Sequence, residues 1–309
     1  MNISQLSYVL SEKVETISSL SDQGEIPANE ALILEKIMGL QYVPRDQNIN
    51  HSEQLNNVIE KLLSEHRVDP LSIKYILFAH TSDYLTPCGF NILSNISKKY
   101  GFNNALCFGS SVYKCASAFH LLKLAENFFH DLNDQDYILL LIGDLAFTNI
   151  LQYIPGSTVL GDAASAILLQ KSSRHNRFID FIIETYGEFA KGLWGDRNEQ
   201  LLFQSTYIKY LCNIIIKIVS QNDLALSQIK YIFPHNVNKI SWRQVIQALS
   251  LLHDQVYLNN VSRTAHCFGS DPFINLTDAI EQNLLQNGDY YLLVTIGLGA
   301  TFAATLFQY

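Results

Sequence analysis

The chain has 309 residues, 48% of them hydrophobic and only 16% charged, with a formal net charge of −8. That length and apolar content can bury one large core or two of ordinary size, and so little charge predicts an oligomer. The acidic balance excludes nucleic acid and anionic membrane surfaces as main partners, so an acidic partner would need a local basic patch.

In chain order, the opening MNISQLSYVLSEKVETISSL is interrupted by Glu12, Lys13 and Glu15 and does not read as a signal peptide. EQLNNVIEKLLSEH (53–66) has helical apolar spacing and leads to a buried strand, IKYILFAH (73–80). A further helix and a short strand, ALCFG (105–109), follow. Cys115 then precedes ASAFHLLKLAENFFHDL (116–132), where Ala118, Leu121, Leu122, Ala125 and Phe129 form one apolar stripe. DYILLLIGDLA (136–146) reads as a second buried strand, and STVLGDAASAILLQ (157–170) carries Gly161 and small residues where backbone must come close. No apolar run reaches membrane-spanning length. The charged KSSRHNRFID (171–180) is the candidate joint of the chain.

Beyond that joint the same order returns. A helix, YIKYLCNIIIKIVSQN, leads to a strand, IKYIFPH, and then to a short strand, QVYLNNV. A long helix, DPFINLTDAIEQNLLQ, and a closing strand, DYYLLVTIGLGA, complete it. Ile73 and Ile229 open matching Ile-Lys-Tyr-Ile runs 156 positions apart, and Gly143 and Gly297 match at 154. Two pairs at nearly one offset indicate a duplicated unit. Continuous apolar strands alternating with helices predict α/β halves whose sheets are covered on both faces. We therefore divide the chain into an N-terminal half, 1–172, and a C-terminal half, 173–309.

The duplication directs attention to particular residues. Adding 154 to Cys115 lands in HCFGSDPF, so the thiol and the loop holding His266 occupy equivalent places before the long helix of each half. A cysteine in the first turn of a helix meets unpaired N–H groups that favour thiolate, though a buried cysteine among apolar neighbours is commonly inert packing. His235 follows Pro234 at a strand end, where α/β sheets place catalytic groups, and His80 is its repeat mate. Asp271 is placed either to orient His266 or to cap the next helix. The remaining cysteines are irregularly spaced without a CxxC, so neither a metal site nor a disulfide framework is expected, and free thiols in a reducing cytoplasm are. Cys88 and Cys107 read as buried.

With these residues placed, the sequence resembles the β-ketoacyl-acyl-carrier-protein synthase III family of the thiolase superfamily. The resemblance rests on KCASAF, with Cys115 on the reactive cysteine, and on PHNVNKI, with His235 on the catalytic histidine. LGDAASA stands on the family's Gly-Asp-Gly-Ala turn, and IGLGAT on its Gly-rich loop. It implies a five-layered α-β-α-β-α sandwich of two pseudo-symmetric halves. It also implies an acyl group held on Cys115, with backbone N–H groups of Cys115 and Leu298 as the oxyanion hole. The acyl donor would be acyl-CoA or an acyl-carrier protein, with no further cofactor, in fatty-acid, polyketide or other natural-product synthesis.

Several departures qualify that expectation. His266 stands where the family has an asparagine, Leu298 replaces a loop glycine, and EKIMGLQYV lacks the family's coenzyme A-binding arginine. Lys239 and Arg243 offer a docking patch for an acidic carrier. Condensation with a malonyl-type thioester is the expected reaction. The alternatives are transfer to a hydroxyl or amine without decarboxylation, or a non-catalytic subunit paired with an active paralogue. A homodimer is expected, or a heterodimer in that last case.

Overall fold

The computed structural model describes residues 1–83 and 85–309, and for Asn149 and Ile150 the backbone alone. Nine strands form the central structure: β1 (Asn2–Leu10), β2 (Ile73–Ala79), β3 (Leu106–Ser110), β4 (Tyr137–Asp144), β5 (Ala163–Gln170), β6 (Arg177–Thr185), β7 (Ile229–Pro234), β8 (Tyr290–Gly297) and β9 (Thr301–Gln308). Their lateral order is β7-β8-β9-β6-β1-β5-β4-β2-β3. β6 and β1 are in register only at Asn2 and Arg177, whereas β6 and β9 pair from Arg177 to Thr185. The sheet therefore divides there into two halves.

Apart from β3, which has no strand counterpart, the halves repeat each other. β2 lies parallel to β4 as β7 lies parallel to β8, and antiparallel β5 and β1 correspond to β9 and β6. Irregularities repeat too. The β2–β4 register slips between Ile73 and Tyr75, and the β7–β8 register between Ile229 and Tyr231. β1 slips against β5 between Ile3 and Gln5, and β6 against β9 between Phe178 and Asp180. A bulge re-aims the residues after it, so its repetition keeps the strand ends of both halves directed alike. Between β5 and β6 the chain crosses residues 171–176, which contain position 172.

Six main helices complete the layers: α1 (His51–Glu65), α2 (Ile92–Tyr100), α3 (Ser117–Phe128), α4 (Arg197–Ser220), α5 (Lys239–Leu249) and α6 (Asp271–Glu281). Local sequence sets their starts, since Asn50, Asn91 and Asn238 each accept a backbone N–H at the N-cap, and Asp196 with Glu199 forms a capping box. α1 and α2 cover one outer face, with Leu55, Val58, Ile76 and Leu139 in its core. α4 and α5 cover the other, around Ile215, Trp242, Leu292 and Phe302. α3 and α6 lie between the half-sheets, where Phe119 meets Phe273 edge-on at 6.1 Å. The fold is a thiolase-type α-β-α-β-α sandwich. α6 has nine buried residues because it has sheet on both sides.

Two expectations change. QVYLNNV contributes only an isolated bridge from Val256 to Ile232, because Gln255 turns its side chain back onto the Leu226 and Ile229 carbonyls and the chain then leaves the sheet. Cys107 is exposed because β3 is the open edge of the sheet, and Cys88 is exposed in its loop. All five cysteines are free thiols.

Candidate active site

Apart from Tyr207, which lies within α4, the residues of the site stand near strand ends or helix starts at the carboxyl ends of the sheets, where α/β folds gather reactive groups. Lys114–Ala116 forms a single 3₁₀ turn leading into α3, and Phe268–Ser270 forms its counterpart before α6. The two turns lie 154 positions apart, and their first residues, Lys114 and Phe268, share a left-handed backbone at φ 51° and 52°. Such a conformation costs a non-glycine residue about 1 kcal/mol and is held by the surrounding packing. Cys115 therefore corresponds to Gly269, and a Cβ on Gly269 would stand 3.0 Å from the Cys115 carbonyl oxygen. The two helix starts touch at the pseudo-twofold axis.

The loop after β8 closes on the same point. A Cβ on Gly297 would lie 1.9 Å from the Tyr113 carbonyl oxygen, so only glycine lets this loop approach the turn bearing Cys115. Leu298 follows it and lines the cavity, 37% exposed. The backbone of His266 is fixed by Val159 and Gly161, which exchange hydrogen bonds with it at 3.1 and 3.0 Å. The LGDAASA turn thus positions the histidine.

Side-chain geometry links the predicted residues. Cys115 Sγ lies 3.7 Å from His266 Nε2, and His266 Nδ1 lies 2.5 Å from Asp271 Oδ2. All three side chains are buried. Asp271 also accepts the backbone N–H of Cys267 at 2.7 Å and of Asn236 at 2.6 Å, so it both orients the ring and ties down the loop. His235 stands with its ring centre 6.3 Å from that of His266. Trp242 donates its indole N–H to the His235 carbonyl at 2.9 Å, which fixes the strand end.

The two histidines are driven in opposite directions. Burial works to lower His266, but the Asp271 carboxylate and Cys115 outweigh it and push the imidazole up to about 10. Burial, reinforced by the charge of His266, pushes His235 down to about 3. His266 is thus a protonated partner of Asp271 at neutral pH and His235 a neutral ring.

Three contributors lack a signal in the sequence. Thr81, directly after the β2 strand end, donates its hydroxyl to Cys115 Sγ at 3.6 Å. Asp144, at the end of β4, accepts the backbone N–H groups of Thr81 at 2.7 Å and Ser82 at 3.3 Å. Burial pushes its carboxyl up to about 7. Tyr207, on α4, places its hydroxyl 2.8 Å from His235 Nε2. These groups sit on elements whose own motifs are only helical or strand-like.

His80 is set apart from this group. Its Nδ1 lies 2.7 Å from the Ser82 carbonyl, and it lines a separate shallow cleft with Asp83 and Phe90. Lys239 and Arg243 lie outside the cavity wall, on α5, whose Ser241 and Gln244 line it. Lys239 lays its stem over Gly39, Arg243 is exposed, and neither has an ion pair among the described residues. The cavity above Cys115 has a volume of about 660 Å³ and is walled chiefly by apolar side chains such as Leu160, Phe189, Phe203 and Ile296. That volume is in the range of small-molecule sites. Among the described residues no group of His, Cys, Asp and Glu could hold a metal ion.

Comparisons with known proteins point to the same fold. Residues 219–309 match the 3-oxoacyl-[acyl-carrier-protein] synthase III C-terminal family. β-Ketoacyl-[acyl-carrier-protein] synthase III of Sulfurovum sp. (strain NBC37-1) is 26% identical, over 73% of this chain and 73% of its own. That of Clostridium beijerinckii is 23% identical, over 86% and 88% respectively. Among solved structures, ChlB3, named an acyltransferase, superposes with a TM-score of 0.85 at 16% identity, covering 99% of this chain and 97% of its own. The synthase III of Aquifex aeolicus VF5 superposes at 0.82 and 15%, covering 100% and 99%. Residues 219–309 thus carry the C-terminal signature of that family, and the chain as a whole is similar in sequence to β-ketoacyl-acyl-carrier-protein synthase III and shares its fold.

Proposed function

We propose that this protein is an acyltransferase that takes an acyl group from a thioester onto Cys115 and passes it to a hydroxyl or amine without decarboxylation. The observation that carries this reading is the buried chain from Cys115 Sγ through His266 to Asp271, at 3.7 and 2.5 Å. Asp271 accepts from Nδ1–H and favours the imidazolium, so Nε2, which faces Cys115, holds the proton that the sulfur gives up. An amide N–H at this position, as in the family's asparagine, could donate but could not remove a proton.

The steps balance. With the Cys115 proton already held on His266 Nε2, the sulfur attacks the thioester carbonyl, and the oxyanion rests on the backbone N–H groups of Cys115 and Leu298. The carbon–sulfur bond to the donor breaks, and the imidazolium returns its proton to the departing thiolate. Neutral His266 then removes the proton of an acceptor hydroxyl or amine as that atom attacks the acyl carbonyl. The carbon–sulfur bond to Cys115 breaks, and the proton taken from the acceptor stays on Nε2 beside the released sulfur, which restores the starting pair. No cofactor is required, because the thioester is already activated. Acyl-CoA and acyl-carrier protein are the donor classes, and Lys239 and Arg243 are the cations that would meet an acidic carrier. The free thiols suit a reducing cytoplasm.

Condensation is the second reading, favoured by the name that the curated relatives carry and by the paired rings of His235 and His266. Incubation with acyl thioesters of N-acetylcysteamine, followed by intact mass, tests the first step. A mass gain absent from Cys115→Ala supports catalysis, and no gain with acyl-CoA, acyl-carrier protein or model thioesters would leave the non-catalytic subunit. Release of CO₂ from a malonyl thioester at the rate of acyl turnover would establish condensation and refute our first reading.

A further inference from the structure

Condensation needs an enolate, formed when the bond from a malonyl carbon to its carboxylate breaks and CO₂ leaves. The electron pair then moves onto the thioester oxygen, which must meet N–H donors. His235 Nε2 and the side chain at position 266 are the two groups able to converge there. In this chain His235 is not free to donate, because its Nε2 is taken by the hydroxyl of Tyr207 at 2.8 Å, and His266, with Nδ1–H directed to Asp271, has given its Nε2 proton to the departing thiolate once Cys115 is acylated.

Tyr207 is held in that place. Its ring packs against Phe203 at 5.6 Å and Phe302 at 6.2 Å, and α4 is anchored by the buried Leu211, Ile214 and Ile215. Tyr207, His235 and His266 line the same cavity as Cys115. Whichever of the two carries the shared proton, the Tyr207 hydroxyl occupies Nε2, and the ring presents no unengaged N–H there to a substrate carbonyl.

We propose that Tyr207 determines which reaction the site performs: by occupying His235 Nε2 it withholds the donor that decarboxylation requires and leaves the His266–Asp271 base to carry acyl transfer. This inference rests on the transfer reading. It makes Tyr207 a specificity-determining residue that acts through His235.

The test is release of labelled CO₂ from malonyl-N-acetylcysteamine by the full-length protein, measured on wild type, Tyr207→Phe and Tyr207→Leu. Both variants remove the hydroxyl, and the phenylalanine keeps the ring packing. One donor at a developing oxyanion is worth about 10²–10³ in rate, so CO₂ release should rise at least about tenfold in Tyr207→Phe. The gain should disappear in Tyr207→Phe/His235→Ala, which loosened packing alone would not produce. Slow release by wild type and by both variants, each with its acyl adduct on Cys115, would overturn the role of Tyr207 and leave the transfer reading standing. Fast release by the wild type would overturn both.

Discussion

At the level of single residues, the account turns on Asp271. Its carboxylate orients His266 and accepts two backbone N–H groups. Asp271→Asn should slow turnover of the acyl-Cys115 adduct by about 10²–10⁴-fold, the range for losing the correct histidine tautomer in a triad. Stopped-time intact mass reads that rate. The histidines also set a pH signature. His266, ordinarily near 6.5, is pushed up to about 10, so its contribution to folding is full below pH 6.5 and fades as pH rises toward 10. His235 is pushed down to about 3, so its contribution is full above pH 6.5 and is lost as pH falls toward 3. Thermal melts of His235→Gln should therefore lose less stability than wild type between pH 6.5 and 4, and an identical acid limb would refute the assignment.

Cys115, His235, His266 and Asp271 were all legible as residues, because duplication aligned two loops and the motifs marked them. Their partners were not. Thr81, Asp144 and Tyr207 reach the site from strand ends and a helix whose residues could as well be packing, and contact alone distinguishes them. Position left His80 and His235 equivalent. The structure separates them, since only His235 faces the cavity with Cys115.

Among secondary elements, the loop after β8 is the most constrained. Gly297 lies so close to the Tyr113 carbonyl that an added Cβ must displace either this loop or the turn of Cys115. Gly297→Ala should destabilise the fold by about 1–3 kcal/mol, the usual cost of forcing atoms into a packed site. It should also slow Cys115 acylation more than it lowers Tm, because the moved backbone carries the proposed oxyanion donors. Acylation at the wild-type rate would show that the loop is not part of the hole. The main strands and helices could be predicted from apolar periodicity. The shared bulges could not, since a slip after Ile73 or Ile229 leaves no mark in an unbroken apolar run. The same ambiguity explains Cys107, because ALCFG reads alike as a central or an edge strand.

For the molecule as a whole, duplication gives the architecture and the low charge points to association. β3 is an open edge with Leu106 59% and Phe108 45% exposed, and Val112 beside it is 75% exposed. Open apolar edges of this kind recruit another strand unless covered. We expect a homodimer that pairs this edge across a twofold axis. Light scattering on the purified protein should give twice the chain mass, and Leu106→Lys/Phe108→Glu should shift it toward the monomer. A monomeric wild type would refute the expectation.

The most direct test of the central claim follows one acyl group. Protein carrying the acyl mass on Cys115 is separated from donor and mixed with ethanolamine, which offers one amine and one hydroxyl. Wild type should lose the adduct as acyl-ethanolamine appears, and His266→Ala should hold it at least about a hundredfold longer. Equal lifetimes in the two proteins would contradict the base role of His266 and the acyl-transfer reading built on it.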